Sequence, residues 1–364
     1  MPIGGKIRVL VVDDSAIVRK VLTAILDAEP DIEVAGTAPD PYIARDKILS
    51  LKPDVLTLDI EMPRMDGLTF LEKIMQHHPL PVIMISSLAQ SSTRASLEAM
   101  SRGAVDVLAK PGGPYSVGDL KNDLPRRVRA AASARLRLCS AMDFRPAQAP
   151  VASRLPVADA GASLAAGEEA KPLRQSMLVA IGASTGGTVA IERVLSALPN
   201  ETPPMVIAQH IPAGFSTAFA ERLNRVCAVE VREARDGDQT RPGLALIAPG
   251  NRHMRVRQGG EGWRIALDDG PKVCYQRPSV DVLFSSVAVE AGARSAGVIL
   301  TGMGSDGAEG LLAMRRAGAH TCAQDEASCV VFGMPREAIA RGAAERVLPV
   351  DRIAAHVLEL CRRA

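Results

Sequence analysis

Leu178-Val179-Ala180-Ile181-Gly182-Ala183-Ser184-Thr185-Gly186-Gly187 is the stretch on which the reading of the whole chain turns. An apolar, β-branched run climbs into a serine set among glycines, and a helical pattern follows. That is the grammar of a buried strand, a tight turn and a helix N-terminus. Open α/β sheets place their functional groups at the carboxyl ends of strands, where Ser184 stands. Two chemistries fit the stretch, a nucleophilic serine or a glycine-rich loop that cradles phosphate, and the flanking sequence has to choose between them.

At 364 residues the chain has room for two domains with full cores. A net charge of +2 gives no basis for general binding to nucleic acid or to an anionic membrane. The six cysteines are scattered with no CxxC pair, so neither a zinc site nor a disulfide framework is indicated. Reduced thiols in a cytoplasmic protein are the expectation. Met1-Pro2-Ile3-Gly4-Gly5-Lys6 lacks the apolar core of a signal peptide, and no apolar run reaches membrane-spanning length.

Downstream of Ser184 the pattern predicts a helix over Thr188–Leu198 and a strand over Met205–Ala208 that runs into Gln209-His210-Ile211-Pro212. A helix over Phe215–Val226 and a strand over Val229–Arg232 follow. Leu244–Ala248, His253–Val256 and Trp263–Leu267 read as a short meander with turns at Pro249-Gly250 and Gly259-Gly260. Helices over Val280–Ala291, Ala308–Arg316, Pro335–Arg341 and Val350–Arg362 then accompany strands over Gly297–Leu300 and His320–Ala323. Residues 176–364 are therefore expected to form a doubly wound, mainly parallel α/β sheet with a small antiparallel insertion.

Three polar positions in this half each lie just past an expected strand: Ser184, His210 and Asp306, the last within Thr301-Gly302-Met303-Gly304-Ser305-Asp306-Gly307. A serine hydroxyl becomes a nucleophile when a base takes its proton, histidine suits that task, and a carboxylate fixes the histidine tautomer. The glycines would let backbone N–H groups approach an oxyanion. The plainer alternatives are a satisfied strand-end histidine at His210 and a helix N-cap at Asp306. His253, His320 and His356 are other bases, and Asp325 is the rival acid. Gly182-x-Ser184-x-Gly186 matches the elbow of α/β-hydrolases, but there the acid precedes the histidine, and here the order is Ser, His, Asp. The phosphate cradle loses ground because the middle glycine of a dinucleotide fingerprint is absent and no Gly-Lys-Ser/Thr occurs.

Upstream, five expected strands, Ile7–Val12, Ile32–Ala35, Val55–Leu58, Pro81–Ile85 and Ala104–Leu108, alternate with helices over Ala16–Ala28, Pro41–Leu51, Leu68–His77, Thr93–Arg102 and Val117–Cys139. Strict alternation implies a five-stranded parallel, doubly wound, flavodoxin-like domain. Asp13, Asp14, Asp59, Ser86 and Lys110 fall at strand ends. Three converging carboxylates repel unless a cation neutralises them, and oxygen ligands with room for water suit Mg²⁺. Asp59 is then placed to take a phosphoryl group, with the Ser86 hydroxyl and the Lys110 ammonium to hold its oxygens. Ser87 is the alternative hydroxyl; Ser86 is preferred because it ends the strand. Singly, each aspartate also reads as a cap or turn residue.

Between the halves, Met142 to Gln175 dissolves into Ala, Pro and small polar residues, the composition of a linker. The expected division is 1–140, 141–175 and 176–364. Arg126, Arg127, Arg129, Arg135 and Arg137 on the last helix of the first half read as a solvated face, with a nucleic-acid contact as the alternative.

Asp13-Asp14, Asp59-Ile60-Glu61-Met62-Pro63-Arg64-Met65-Asp66-Gly67, Ser86 and Lys110-Pro111 resemble the receiver domain of bacterial response regulators. Gly182 to Gly187, Gln209-His210-Ile211-Pro212, Phe215-Ser216, Ala248-Pro249-Gly250 with His253, and Thr301 to Gly307 resemble the catalytic domain of the chemotaxis protein-glutamate methylesterase family, CheB. The resemblance implies a phosphoacceptor Asp59 and a Mg²⁺ site at Asp13, Asp14, Asp59 and Glu61, with a switch at Ser86 and Lys110. It also implies hydrolysis of glutamate γ-methyl esters, and deamidation of glutamines, on chemoreceptors. Ser184, His210 and Asp306 would be the catalytic residues, the Met303 N–H an oxyanion donor, and hydrolysis itself would need no cofactor. A histidine kinase of the CheA type would be the phosphodonor, with inhibitory docking of the unphosphorylated receiver over Ser184. Two other classes stay in view: a response regulator with a non-catalytic binding output, and a transcriptional regulator, which the missing helix-turn-helix pattern opposes.

Overall fold

The computed structural model describes residues 5–87, 90–110, 117–136, 177–260 and 262–363. The linker expected over 141–175, Pro111 and Arg137 lie outside the described residues.

Residues Val9 to Val12 are almost wholly buried, and their alternation serves two cores at once. Leu10 and Val12 pack on one face of the sheet, Val9 and Val11 on the other, as a central parallel strand requires. The strands of this half are β1 (Ile7–Val12), β2 (Ile32–Ala38), β3 (Val55–Asp59), β4 (Val82–Ser86) and β5 (Asp106–Ala109). They form one parallel sheet in the order β2-β1-β3-β4-β5. The helices are α1 (Ala16–Leu26), α2 (Pro41–Leu51), α3 (Gly67–His77), α4 (Gln90–Ser101) and α5 (Val117–Ala132). Ser15, Asp40 and Asp66 cap α1, α2 and α3 through side-chain bonds to first-turn N–H groups, so these three polar residues are spent on helix starts. Asp13 and Asp59 remain, on neighbouring strand ends at the point where the strand order reverses.

The second half carries β6 (Leu178–Ala183), α6 (Gly187–Ser196), β7 (Met205–Gln209), α7 (Phe215–Val226), β8 (Glu230–Glu233), β9 (Leu244–Ile247), β10 (His253–Gly259) and β11 (Gly262–Asp268). It continues with α8 (Val280–Glu290), β12 (Ser295–Ile299), α9 (Ala308–Arg316), β13 (His320–Gln324), α10 (Met334–Ala340), β14 (Arg346–Leu348) and α11 (Val350–Arg363). Seven strands make a parallel sheet in the order β14-β13-β12-β6-β7-β9-β8, and β10 and β11 pair as an antiparallel hairpin. The chain leaves β6 toward β7 and later returns on the other side through β12, which puts the reversal point at Ser184.

Two details differ from the sequence reading. Leu244–Ile247 is not part of a meander: it is fully buried and lies between β7 and β8, parallel to both. Its continuous apolar run is the mark of a two-sided central strand, which periodicity alone does not separate from a hairpin arm. The short edge strand β14 has no buried residue and so carries no apolar alternation to read. No described helix is long and apolar enough to cross a membrane.

Candidate active site

Ser184 follows β6 directly, and its backbone is bonded on both sides. Its N–H donates to the Thr301 carbonyl at 3.0 Å, and its carbonyl accepts from the Gln209 side-chain amide at 2.8 Å. Gly186 turns the chain into α6 at φ +75°, a conformation any Cβ would strain. Gly302 serves closeness instead: a Cβ there would stand 2.7 Å from Ser184 Cβ. The loop after β12 therefore reaches the serine because position 302 has no side chain.

Neighbouring strands bring His210 alongside. Ala183 pairs with Gln209 in the β6–β7 ladder, and the His210 N–H donates to the Ala183 carbonyl at 3.1 Å. His210 Nε2 lies 2.7 Å from Asp306 Oδ2, with both side chains buried. The other ring nitrogen, Nδ1, is buried without a hydrogen-bond partner among the described residues. Asp306 holds Nε2, so Nδ1 is the ring nitrogen left for a further bond.

Asp306 does not cap the helix that follows it, as its position suggests; Gly307, at φ +91°, takes that place. Its carboxylate caps α8 instead, accepting from the Ser279 hydroxyl at 2.7 Å, the Val280 N–H at 2.8 Å and the Asp281 N–H at 3.0 Å. Burial would push this carboxyl up, but the His210 bond and charge, with the Asp281 N–H and the Ser279 hydroxyl, more than offset it and hold the group below the ordinary carboxylate range. Asp281 goes the other way, pushed up to about 6 by burial and by the Asp306 charge beside it.

The rival groups are otherwise engaged. His253 Nδ1 accepts from the Ser279 N–H at 3.2 Å, so its Nε2 carries the proton and donates to the Pro271 carbonyl at 3.0 Å. Asp325 accepts from the Ser328 N–H at 2.9 Å and its hydroxyl at 2.5 Å, a turn role. His320 pairs at 3.5 Å with Glu345 at the amino end of its strand. His356 sits on α11. A pure anion cradle at Ser184 would leave the buried His210–Asp306 pair without a task.

In the first half, carboxylate oxygens of Asp13, Asp14 and Asp59 lie within 4.8 Å of one another. Lys110 Nζ stands 2.7 Å from Asp59 Oδ2 and 3.2 Å from Asp13 Oδ2. Burial raises Asp59 to about 6, with the Lys110 hydrogen bond opposing and the Asp13 charge adding to the shift. Burial raises Asp13 as well. Three carboxylates against one ammonium leave excess negative charge in an all-oxygen site, which fits a hard divalent cation. Glu61 is not in this carboxylate group; its backbone N–H donates to Asp59 Oδ1 at 3.3 Å. Ser86 is the last residue of β4 and is buried, while Ser87 lies past the strand.

The family described as CheB methylesterase matches residues 179–357, and the response regulator receiver domain family matches residues 9–118. The protein-glutamate methylesterase/protein-glutamine glutaminase 2 of Syntrophus aciditrophicus (strain SB) is 52% identical over 357 residues, 98% of this chain and 99% of its own. The chain belongs to the CheB methylesterase family. The protein-glutamate methylesterase/protein-glutamine glutaminase of Escherichia coli (strain K12) is 50% identical over 97% of both chains. The crystal structure of the Thermotoga maritima CheB methylesterase catalytic domain matches with a TM-score of 0.50 at 36% identity, covering 51% of this chain and 98% of that one.

In this CheB-family chain the receiver meets the catalytic half at Ser184 itself. Arg126, Arg127 and Ala130 of α5 line one cleft with Ser184, Thr185, Gln276 and Met303. The Thr185 hydroxyl donates to Asp106 Oδ2 at 2.7 Å, and Asp106 Oδ1 accepts from Arg127, both charged groups being buried. Arg135 adds an N–H bond to the Val330 carbonyl at 3.0 Å and an ion pair with Glu326 at 2.6 Å. Leu97 and Met100 of α4 pack in one apolar cluster with Phe219 of α7. The basic residues near α5 are thus only in part the solvated face expected of them. Arg127 is buried, Arg129 holds Glu29 and Asp31, and Arg135 reaches the other half. Nothing local marks Asp106 as a partner of Thr185, 79 residues away.

Proposed function

We propose that the chain is a phosphorylation-regulated hydrolase that removes methyl groups from glutamate γ-methyl esters on chemoreceptors and deamidates receptor glutamines, with Ser184, His210 and Asp306 as its catalytic residues. The observation that carries this reading is the buried His210 Nε2–Asp306 bond beside Ser184, with Nδ1 left open. Ser184 Oγ attacks the side-chain carbonyl carbon while His210 Nδ1 takes its proton. The tetrahedral oxyanion collapses, methanol (or ammonia) leaves with the proton from His210, and water repeats the sequence on the acyl-enzyme. Met303, which lines the cleft with Ser184, offers its N–H to the oxyanion. A methanol-release assay on methylated receptor, with and without a small phosphodonor and Mg²⁺, tests the whole reading; no release in either condition rejects it.

Asp59 is the phosphoacceptor in this reading, Asp13, Asp14 and Asp59 hold Mg²⁺, and Ser86 and Lys110 bind phosphoryl oxygens. The metal, when bound, neutralises charge on the phosphoryl oxygens during transfer. A CheA-type histidine kinase supplies the phosphoryl group. Asp59→Asn, or removal of Mg²⁺ with a chelator, should leave basal methanol release intact and abolish its stimulation by phosphodonor. Stimulation that survives in Asp59→Asn would refute the assignment.

The division into a receiver (1–140), a linker (141–175) and a catalytic domain (176–364), working in the cytoplasm, completes the proposal. With α5 over Ser184, the unphosphorylated receiver restricts access, and phosphorylation shifts the population toward an open form. A docked fraction near nine in ten needs only about 1.4 kcal/mol, within reach of the contacts described, since that is a tenfold equilibrium ratio. A chain beginning at Met177 should therefore release methanol about tenfold faster than the unphosphorylated full chain. Equal or slower release would count against inhibitory docking.

A further inference from the structure

Between β11 and α8, Val273 and Gln276 exchange backbone hydrogen bonds at 3.1 and 2.8 Å across a two-residue turn. Its central residues, Cys274 and Tyr275, have φ of +50° and +63°. Two consecutive left-handed residues are the turn for which Asn-Gly or Gly-Gly is the unstrained solution. A thiol and a phenol ring there hold the backbone where bulky side chains are disfavoured. The base of the turn is clamped. Arg277 donates to Asn251 Oδ1 at 3.1 and 2.8 Å and to the carbonyls of Asp269 and Gly270 at 2.8 and 2.9 Å.

Both neighbours of Tyr275 reach the active site. Gln276 lines the cleft of Ser184 and Met303, and Cys274 Sγ lies within 4.8 Å of carboxylate oxygens of Asp281 and Asp306. Tyr275 itself is 77% exposed, even with the receiver docked. The ring is therefore not spent on the contact between the halves. Strain kept at a clamped turn beside a reactive serine points to a binding task. A glutamyl ester side chain offers only a handful of atoms, so affinity for a protein substrate has to come from the surface around it. Exposed, rigidly presented tyrosine is well suited to that contact.

We infer that Tyr275 is a specificity-determining residue whose ring packs on the apolar surface flanking the target glutamyl ester of the substrate protein. This rests on the methylesterase reading. The test uses the full chain activated by phosphodonor and Mg²⁺, with methylated chemoreceptor and p-nitrophenyl acetate as parallel substrates. Glycine fits φ +63°, so Tyr275→Gly relieves the turn while deleting the ring. The variant should unfold at the same or a higher temperature and lose about tenfold in kcat/KM on receptor, mainly through KM. Its rate on p-nitrophenyl acetate should be unchanged, and Tyr275→Phe should keep receptor activity near wild type. Equal losses on both esters, an unchanged receptor KM, or a change only in the degree of activation by phosphodonor would overturn the inference. If the wild type hydrolyses p-nitrophenyl acetate but releases no methanol from receptor, the substrate reading fails and takes this inference with it.

Discussion

Replacing Ser184 with alanine should lower methanol release from methylated receptor by about 10⁶, the scale on which removing a serine nucleophile acts in hydrolases of this kind. The fold should be untouched. The Ser184 bonds to Thr301 and Gln209 are made by its main chain, and alanine keeps both. A serine-directed phosphonate should label the wild type at Ser184 and leave the variant unlabelled, as read by mass spectrometry. Turnover retained within a factor of ten would remove Ser184 from the role of nucleophile.

Asp306→Asn should cost about 10⁴ in kcat, as expected when the acid that fixes a catalytic histidine is neutralised. The hydrogen bonds give the reason. Oδ2 accepts from His210 Nε2 and Val280 N–H, and Oδ1 from Ser279 Oγ and Asp281 N–H. An asparagine NH₂ set toward His210 also faces the Val280 N–H and forces Nε2 to accept, which puts the ring proton on Nδ1 and disables the base. Set the other way, it faces the Asp281 N–H. Because Asp306 is held below the ordinary carboxylate range, it stays ionised throughout the neutral and mildly acid range. Its bonds are lost only as pH falls through that lowered pKa. The defect of the variant should therefore persist across the pH profile, and a loss confined to one limb would contradict this assignment.

Both sheets were legible because buried parallel strands are continuous apolar runs, and the site because its residues stand one step past such runs. Ser184, His210, Asp59 and Lys110 all lie where the pattern places them. Sequence reading fails where long-range contacts decide. Asp306 looks like the cap of its own helix, yet its carboxylate is taken by α8, with partners 25 to 27 residues earlier. The arginines near α5 look solvated because their partners, Asp106, Glu29, Asp31 and Glu326, are distant in the chain. Leu244–Ile247 could not be assigned to a sheet, since its register is set by β7 and β8 rather than by its own residues.

The seat of Asp306 on α8 has a consequence for turnover. In the proposed mechanism His210 becomes positively charged during acylation, and the carboxylate that answers that charge is already in place, held by two backbone N–H groups of α8 and the Ser279 hydroxyl. Preorganised partners of this kind reduce the reorganisation needed at the moment of reaction. The burden falls on folding, which must bring a carboxylate into an interior that disfavours its charge and hold it there with peptide groups. The enzyme thus settles its electrostatic work once, when the chain folds, and does not repeat it with each ester cleaved.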